Sequence, residues 1–337
     1  MNNLQLQTNT LGIKDIRIKN DQESGLFSII ALHKAEQPAI GGCRILSHNN
    51  VQAALDDVCL LAHAMFCKAS LHCLPYGGGK SIILAPPLDK RKVWLQSFAN
   101  FVNECDGKYI TAIDSGTTPD DMEYIQQFTP YVLSTTNQPH TSLATAQGVF
   151  NAIQASLEFV YSQTSKNKDI VIQGLGSVGY QLAQLLINAG ANVFGYDTND
   201  FALKKASEIG VVTLTKDNYL SYPCHVFAPC AMGGIINSHN YHIFNTSIIC
   251  GAANNPLESP TELASKLNNK GILYVPDFLS NAGGLIYVSK LYNKDSEASI
   301  HHSIRQIYNK TLDILDHSKS NSQTAFDSSL DHITSIT

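Results

Sequence analysis

The rhythm of apolar and polar positions changes near Ala144. Before it, from Gly25 to Leu46, short apolar runs such as Leu26 to Leu32 alternate with turn residues and predict strands. Val51 to Ala69 carries apolar residues at helical spacing, and an apolar stretch, Ser81 to Leu84, follows the glycines Gly77, Gly78 and Gly79. This half predicts a mixed α/β domain in which the glycines form a flexible run. After Ala144 the units alternate: a helix over Gln147 to Val160, a strand over Ile170 to Gln173, a helix over Val178 to Ala189 and a strand over Asn192 to Tyr196. Strand-like runs at His225 to Ala228, Ser247 to Cys250 and Leu273 to Val275 continue the series. That is the βαβ pattern of a doubly wound parallel sheet. The stretch from His317 onward, rich in Ser, Thr and Asp, predicts a loosely attached tail.

With 337 residues, of which 44% are hydrophobic, the chain can bury a sizeable core and fits two domains. Its formal charge of −5 and scattered basic residues leave no electrostatic footprint for nucleic acid or an anionic membrane, so small molecules are the expected partners. Met1 to Asn20 has no apolar core flanked by basic residues, and no apolar run approaches a membrane span, which reads as a cytoplasmic protein. The eight cysteines show neither a CxxC pair nor zinc-ligand spacing, and are expected to be free thiols with no metal.

Gly174-Leu175-Gly176-Ser177-Val178-Gly179 is a GxGxxG sequence whose context gives it force: the strand Ile170-Val171-Ile172 precedes it, a helix opens within it, and a second strand ends in Asp197. Gly174 permits the tight turn, Gly176 lets the backbone approach a pyrophosphate, and Gly179 lets helix and strand pack closely, with the helix amino terminus facing the phosphates. Asp197 would accept from the adenosine ribose hydroxyls and repel a 2′-phosphate, which favours NAD over NADP. The alternative for Asp197 is a helix cap.

Lys68 ends an amphipathic helix on its apolar side, and Lys80 stands between the glycines and an apolar strand. A partly buried lysine near another cation releases its proton more readily. Gly79-Lys80-Ser81 is not the end of a nucleoside-triphosphate loop, because Leu74 stands where that motif needs glycine. Asp114, in Thr111-Ala112-Ile113-Asp114-Ser115-Gly116-Thr117, has two readings, a site carboxylate or a cap for a helix from Pro119.

In order along the chain, Ser24-Gly25-Leu26, Gly41-Gly42-Cys43-Arg44, Met65 to Lys68, Gly77 to Lys80, Tyr109 to Thr117, Thr145 to Val149, the glycine fingerprint, Ala228-Pro229-Cys230-Ala231, Ala253-Asn254-Asn255, Pro276-Asp277 and Asn281-Ala282-Gly283-Gly284 resemble the glutamate/leucine/phenylalanine/valine dehydrogenase family, and within it the leucine dehydrogenase branch. The resemblance implies an α/β protein of two domains: a mixed α/β substrate-binding and oligomerisation domain over residues 1–139, and a Rossmann-type NAD-binding domain over 140–316, followed by a short tail over 317–337. It implies that Lys68, helped by Asn281, holds the substrate α-carboxylate beside the Gly41-Gly42 backbone. Lys80 would be the general acid/base that activates water, and Asp114 would take the amino-group proton. Thr145 and Asn255 would position the nicotinamide, with Gly174, Gly176, Ser177, Val178, Gly179, Asp197, Cys230, Ala231 and Ala253 completing the cofactor site.

Substrate choice rests on fewer residues. In the glutamate branch a lysine immediately before the Gly-Gly-x-Arg segment grips the distal carboxylate, and here that position is Ile40. A carboxylate buried against Ile40 would cost several kcal/mol or so, which predicts a hydrophobic L-amino acid and a pocket lined by Ile40, Met65, Ala112, Thr311 and Ile314. The chain departs from the family at Thr311, where an aliphatic residue is usual, and at Ile113 and Ser115 beside Asp114. It stops soon after Ile333, where leucine dehydrogenases continue into a tail that their octamer draws on, and a homodimer is expected instead. Two alternatives stay open: a glutamate-type enzyme, opposed by Ile40, and a catalytically silent NAD-binding protein for sensing or assembly, opposed by the joint retention of Lys68, Lys80, Asp114 and Asn281.

Overall fold

A computed structural model describes residues 11–33, 37–46, 50–84, 86–133, 138–231 and 233–336. Of the amino-terminal segment read above for targeting signals, residues 1–10 lie outside the described residues. The chain divides into two compact units, Met1–Gln138 and Pro139–Thr337. Among the described residues no helix is long and apolar enough to cross a membrane.

The first unit is built on a six-stranded sheet of β1 (Ile13–Asp21), β2 (Leu26–His33), β3 (Ala39–Leu46), β4 (Gly77–Leu84), β5 (Tyr109–Ile113) and β6 (Val132–Leu133), in the order β1-β2-β4-β3-β5-β6. β1, β2 and β4 pair antiparallel, whereas β4, β3, β5 and β6 run parallel. Strand alternation divides the apolar side chains between the two faces. Ile29, Ala31 and Ile82 pack beneath helix α1 (Val51–Leu71) through Ala54, Val58 and Ala62. Ile30 and Ile83 face the other way, onto Trp94, Phe98 and Val102 of α2 (Arg91–Asn103) and Ile125 of α3 (Pro119–Gln126).

Contrary to the expectation of a flexible run, Gly77, Gly78 and Gly79 are buried β-strand residues. At Gly78 and Gly79 the lack of a side chain serves packing. A Cβ on Gly78 would lie 2.1 Å from the Ala62 carbonyl oxygen and 2.3 Å from the Phe66 nitrogen, so glycine here lets α1 lie on the sheet.

The second unit carries β7 (Asp169–Gln173), β8 (Asn192–Tyr196), β9 (Val212–Thr213), β10 (Cys224–Pro229), β11 (Thr246–Ile249) and β12 (Leu273–Tyr274) in the order β12-β11-β10-β7-β8-β9, all parallel. Numbered from β7, this is the 3-2-1-4-5-6 order of a Rossmann-type sheet, whose topological switch point lies between β7 and β10. Helix α4 (Gln138–Tyr161) starts well before the predicted Gln147. Helices α5 (Ser177–Asn188), α6 (Asp200–Ser207) and α7 (Pro260–Asn269) follow β7, β8 and β11.

After β12 the chain runs through α8 (Asp277–Ser280), α9 (Gly283–Tyr292), α10 (Glu297–Ser320) and α11 (Ala325–Ile336). The expected loose tail from His317 is corrected here. Helix α10 buries Ile300, Ile304, Ile307, Thr311, Ile314, Leu315 and Ser318 along one face, and α11 buries Ala325, Ser328, Ser329 and Ile333. The Phe326 ring meets that of Phe278 with centroids 5.9 Å apart. The polar composition misleads because the hydroxyls are satisfied close by: Ser329 donates to Ala325 O at 2.7 Å and Ser318 to Leu315 O at 2.8 Å.

All eight cysteines are free thiols, and Cys73 is the exposed one.

Candidate active site

Lys80 lies in mid-β4, and Asp114 just past the end of β5, with β3 between the two strands. Lys80 Nζ reaches Asp114 Oδ2 at 2.5 Å, with the lysine side chain 7% and the aspartate side chain 20% exposed. The intervening Gly42 makes room. A Cβ there would sit 2.7 Å from Asp114 Cβ and 2.9 Å from Ile113 O. Gly41 is fixed in the same way, since its Cβ would lie 1.5 Å from Gly79 O, and Tyr109 donates its hydroxyl to Gly41 O at 2.8 Å.

Asp114 is not the cap of α3. Thr118 caps that helix in a reciprocal capping box with Asp121, and Asp114 N donates to Thr117 Oγ1 at 2.9 Å. This leaves the carboxylate for charge pairing. A third group joins it that the charge analysis of the sequence did not single out: Arg44 Nε donates to the same Oδ2 at 2.9 Å, and Arg44 Nη1 stands 3.9 Å from Asp57 Oδ2 on α1. Burial alone would push the Asp114 carboxyl up, but the Lys80 and Arg44 charges outweigh it and hold it at about 2. Burial lowers the Lys80 ammonium, the Asp114 charge and hydrogen bond raise it, and Arg44 lowers it again, for a net depression. The neighbouring cation that lowers Lys80 is thus Arg44.

The other predicted substrate residues of this unit are Ile40 and Lys68, both buried, and Met65 and Ala112, both half-buried. Ile40, Gly42 and Arg44 alternate onto one face of β3, and register places Gly78 and Ile110 opposite Ile40 and Ala112 opposite Gly42.

In the second unit Gly174 turns at φ +94°, and its Cβ would lie 2.6 Å from Ala231 Cβ. A Cβ on Gly179 would meet Gly174 O at 1.9 Å, so only glycine lets α5 start this close to β7. Gly176 differs from both: it is the N-cap of α5, no side chain caps it, and its Cβ would meet nothing within 4 Å. The donors of the first helical turn and open space above them fit a pyrophosphate. Ser177 is exposed and Val178 half-buried beside them. Asp197 accepts from Leu175 N at 2.6 Å through Oδ2 and from Asn199 N at 2.9 Å through Oδ1, while Asn199 itself caps α6. The carboxylate is thereby fixed against the glycine loop, with acceptor capacity remaining for a hydroxyl. Burial pushes the Cys230 thiol up to about 12, so at neutral pH it is an uncharged thiol.

Ala252 N and Ala253 N both donate to Pro229 O at 2.8 Å, and Asn255, at φ +48°, donates its N–H to Asp277 Oδ2 at 3.0 Å. Thr145 on α4 donates to Thr141 O at 3.0 Å, and a Cβ on Gly284 would lie 2.5 Å from Thr145 Oγ1, so the glycine pair lets α9 start against α4. Asn281 is 5% exposed and donates Nδ2 to Ala252 O at 3.1 Å and to Asn254 Oδ1 at 2.9 Å. The backbone carbonyl fixes which end of the amide is nitrogen, and Oδ1 is left buried without a partner. Gln173 Oε1, just before Gly174, and Thr141 Oγ1 are likewise buried and unpartnered. Gln173 Oε1, Thr141 Oγ1 and Asn281 Oδ1 are thus buried polar atoms of this unit with hydrogen-bonding capacity to offer a polar ligand. Thr311 is fully buried and its hydroxyl donates to Ile307 O at 2.7 Å, one turn back, and Ile314 is buried on the same face of α10.

Comparison with known proteins agrees with both units. Residues 14–131 match the family model described as Glu/Leu/Phe/Val dehydrogenase, dimerisation domain, and residues 138–216 and 196–330 match Glutamate/Leucine/Phenylalanine/Valine dehydrogenase. The chain is 38% identical over 309 residues to a phenylalanine dehydrogenase of Lysinibacillus sphaericus, covering 88% of this chain and 81% of that one. It is 35% identical over 289 residues to a leucine dehydrogenase of Bacillus subtilis (strain 168), covering 83% and 79%. The crystal structure of L-tryptophan dehydrogenase from Nostoc punctiforme superposes with a TM-score of 0.86 at 32% identity, over 98% of this chain and 97% of that one.

Proposed function

Because the chain belongs to the glutamate/leucine/phenylalanine/valine dehydrogenase family and is an amino-acid dehydrogenase, we propose that it oxidatively deaminates an L-amino acid with an apolar side chain, using NAD⁺, and runs the reverse reductive amination. The single observation that carries the chemistry is the Lys80–Asp114 pair at 2.5 Å, a buried ammonium whose proton is made labile beside a carboxylate that is ionised before substrate binds. Ile40, buried where a distal carboxylate would have to be held, supports the apolar substrate, as do relatives named for phenylalanine, leucine and tryptophan. The engagement of Asp197 with the glycine loop supports NAD over NADP.

In this reading Lys68 pairs with the substrate α-carboxylate, and Asp114 accepts a proton from the α-amino group. Asn281 is given a different role from the one its family resemblance implies. Its nitrogen is spent on Ala252 and Asn254, so the atom it offers is an acceptor, which suits the amino N–H of the substrate and opposes a carboxylate. A bound nicotinamide supplies the acceptor for the hydride leaving Cα. Lys80, once neutral, takes a proton from water as it adds to the imine carbon, and returns it when ammonia departs. In the first unit, Gly41, Gly42, Met65 and Ala112 are the residues that would face the substrate beside Ile40. The protein works as a homodimer, in keeping with the dimerisation domain for which the first unit's family model is named.

Lys80→Ala is expected to abolish turnover while NADH still binds, read by initial rates and by NADH fluorescence. A catalytic rate unchanged from wild type would refute the role of Lys80.

A further inference from the structure

The Lys80–Asp114 pair is not a closed couple. Arg44, two residues beyond Gly42 on β3, brings its Nε to 2.9 Å from Asp114 Oδ2, the oxygen that Lys80 Nζ meets at 2.5 Å. Two cations therefore converge on one carboxylate oxygen, and the second is itself tethered loosely, with Nη1 3.9 Å from Asp57 Oδ2. The side chains of Arg44 and Asp114 are 18% and 20% exposed, so neither charge is screened as it would be at the surface.

We propose that Arg44 is a positioning residue of this site: its guanidinium fixes the Asp114 carboxylate for Lys80, and its positive charge eases the release of the lysine's proton. The inference rests on the reading of Lys80 as the proton-transfer group given above.

The geometry gives the guanidinium two effects of the same sign. A planar donor on Oδ2 removes the rotational freedom of a carboxylate that follows the last residue of β5 and would otherwise turn about its own bonds. The same donor draws off part of the negative charge that holds the proton on Lys80, and adds direct repulsion. Among the described residues, the groups that act most on Lys80 are Asp114 after β5, Arg44 and the Cys43 thiol from β3, and, through Arg44, Asp57 from α1. Of these, Asp114 holds the proton on Lys80 and Arg44 works against it; the Cys43 thiol is kept neutral by burial, which pushes it up to about 12. Neutral Lys80 is the form that can act as base, so the arginine sets the pH at which the deaminating enzyme switches on.

The test is the pH dependence of kcat for amino-acid oxidation in four forms of the full chain: wild type, Arg44→Met, Arg44→Lys and Asp57→Asn. Arg44→Met is expected to move the rising limb to higher pH by about one unit and to lower the plateau at least tenfold. Arg44→Lys restores the charge without the planar fork, so its limb should return toward wild type while its plateau stays reduced. Asp57→Asn removes the charge that partly neutralises the guanidinium and should move the limb to lower pH, a readout that survives if the methionine variant fails to fold. A merely structural arginine would lower stability or plateau without moving any limb. Unmoved limbs in Arg44→Met and Asp57→Asn, alongside an inactive Lys80→Ala, overturn this inference alone. An active Lys80→Ala overturns the reading of Lys80 and this inference with it.

Discussion

Replacing Asp114 by Asn keeps its shape and removes its charge, and the structure says what this should do to both stability and rate. The folded protein holds this carboxyl at about 2 against an ordinary 3.8. A difference of roughly two units corresponds to about 2 to 3 kcal/mol of stability. Because the folded value is depressed, that stability is fully present above the ordinary carboxyl value and is lost as the pH falls toward 2. Asp114→Asn should therefore unfold in urea about 2 kcal/mol more easily at neutral pH, where both proteins are compared. The loss has a pH signature, since Lys80 keeps its burial and the Arg44 charge but loses the main group that raises it. Its folded value falls further below 10.5, so folding of the variant carries a cost for the ammonium that shrinks as pH rises. The gap between wild type and variant should be wider near about pH 6 than near about pH 9. In turnover, loss of the amino-group proton acceptor should lower kcat by about 10²–10⁴. The residual activity should appear at lower pH than in wild type. A kcat within a few-fold of wild type, or a stability gap that widens with pH, would refute the reasoning.

Three further outcomes follow from particular contacts. Gly78→Ala forces a Cβ to within 2.1 Å of the Ala62 carbonyl oxygen and should cost about 3 kcal/mol in urea unfolding; a cost below about 0.5 kcal/mol would mean that α1 is free to retreat from the sheet. Asp197→Ser frees the backbone N–H of Leu175 and removes the negative charge, so kcat/KM for NADP⁺ relative to NAD⁺ should rise at least about tenfold, and an unchanged ratio would deny Asp197 its part in cofactor choice. Ending the chain after Ser320 deletes α11 and uncovers Phe278, next to the Asp277 that holds the Asn255 N–H. That truncation should destabilise the protein by about 3 kcal/mol or more and raise the KM for the cofactor, whereas unchanged melting would restore the picture of a loose tail.

The second unit was legible from its sequence because its strands and helices alternate at lengths that only a parallel, doubly wound sheet accommodates, and β8 was read to the residue. The glycines Gly77, Gly78 and Gly79 were not, because a single sequence does not distinguish glycine chosen for freedom from glycine chosen for the absence of a side chain. Packing of α1 against β4 decides that, and it is a tertiary fact. The cap reading of Asp114 was open to rejection earlier: Thr118-Pro119-Asp120-Asp121 already holds the capping pair for α3. The tail misled through composition, since serines that bond back to their own helix read as solvent-facing. Arg44 stood within a recognised motif, yet its part depends on β3 lying between β4 and β5, an order that no local pattern carries. Asn281 was placed by resemblance, but which end of its amide is free depends on Ala252 O, a main-chain atom outside any side-chain motif.

The most direct test of the central claim is NADH formation at alkaline pH with L-leucine, L-valine, L-isoleucine, L-phenylalanine, L-tryptophan and L-glutamate as substrates. Turnover of at least one apolar amino acid with none of glutamate is the predicted result. Turnover of glutamate in preference to every apolar member, or no turnover of any of them by protein that binds NADH, would contradict it.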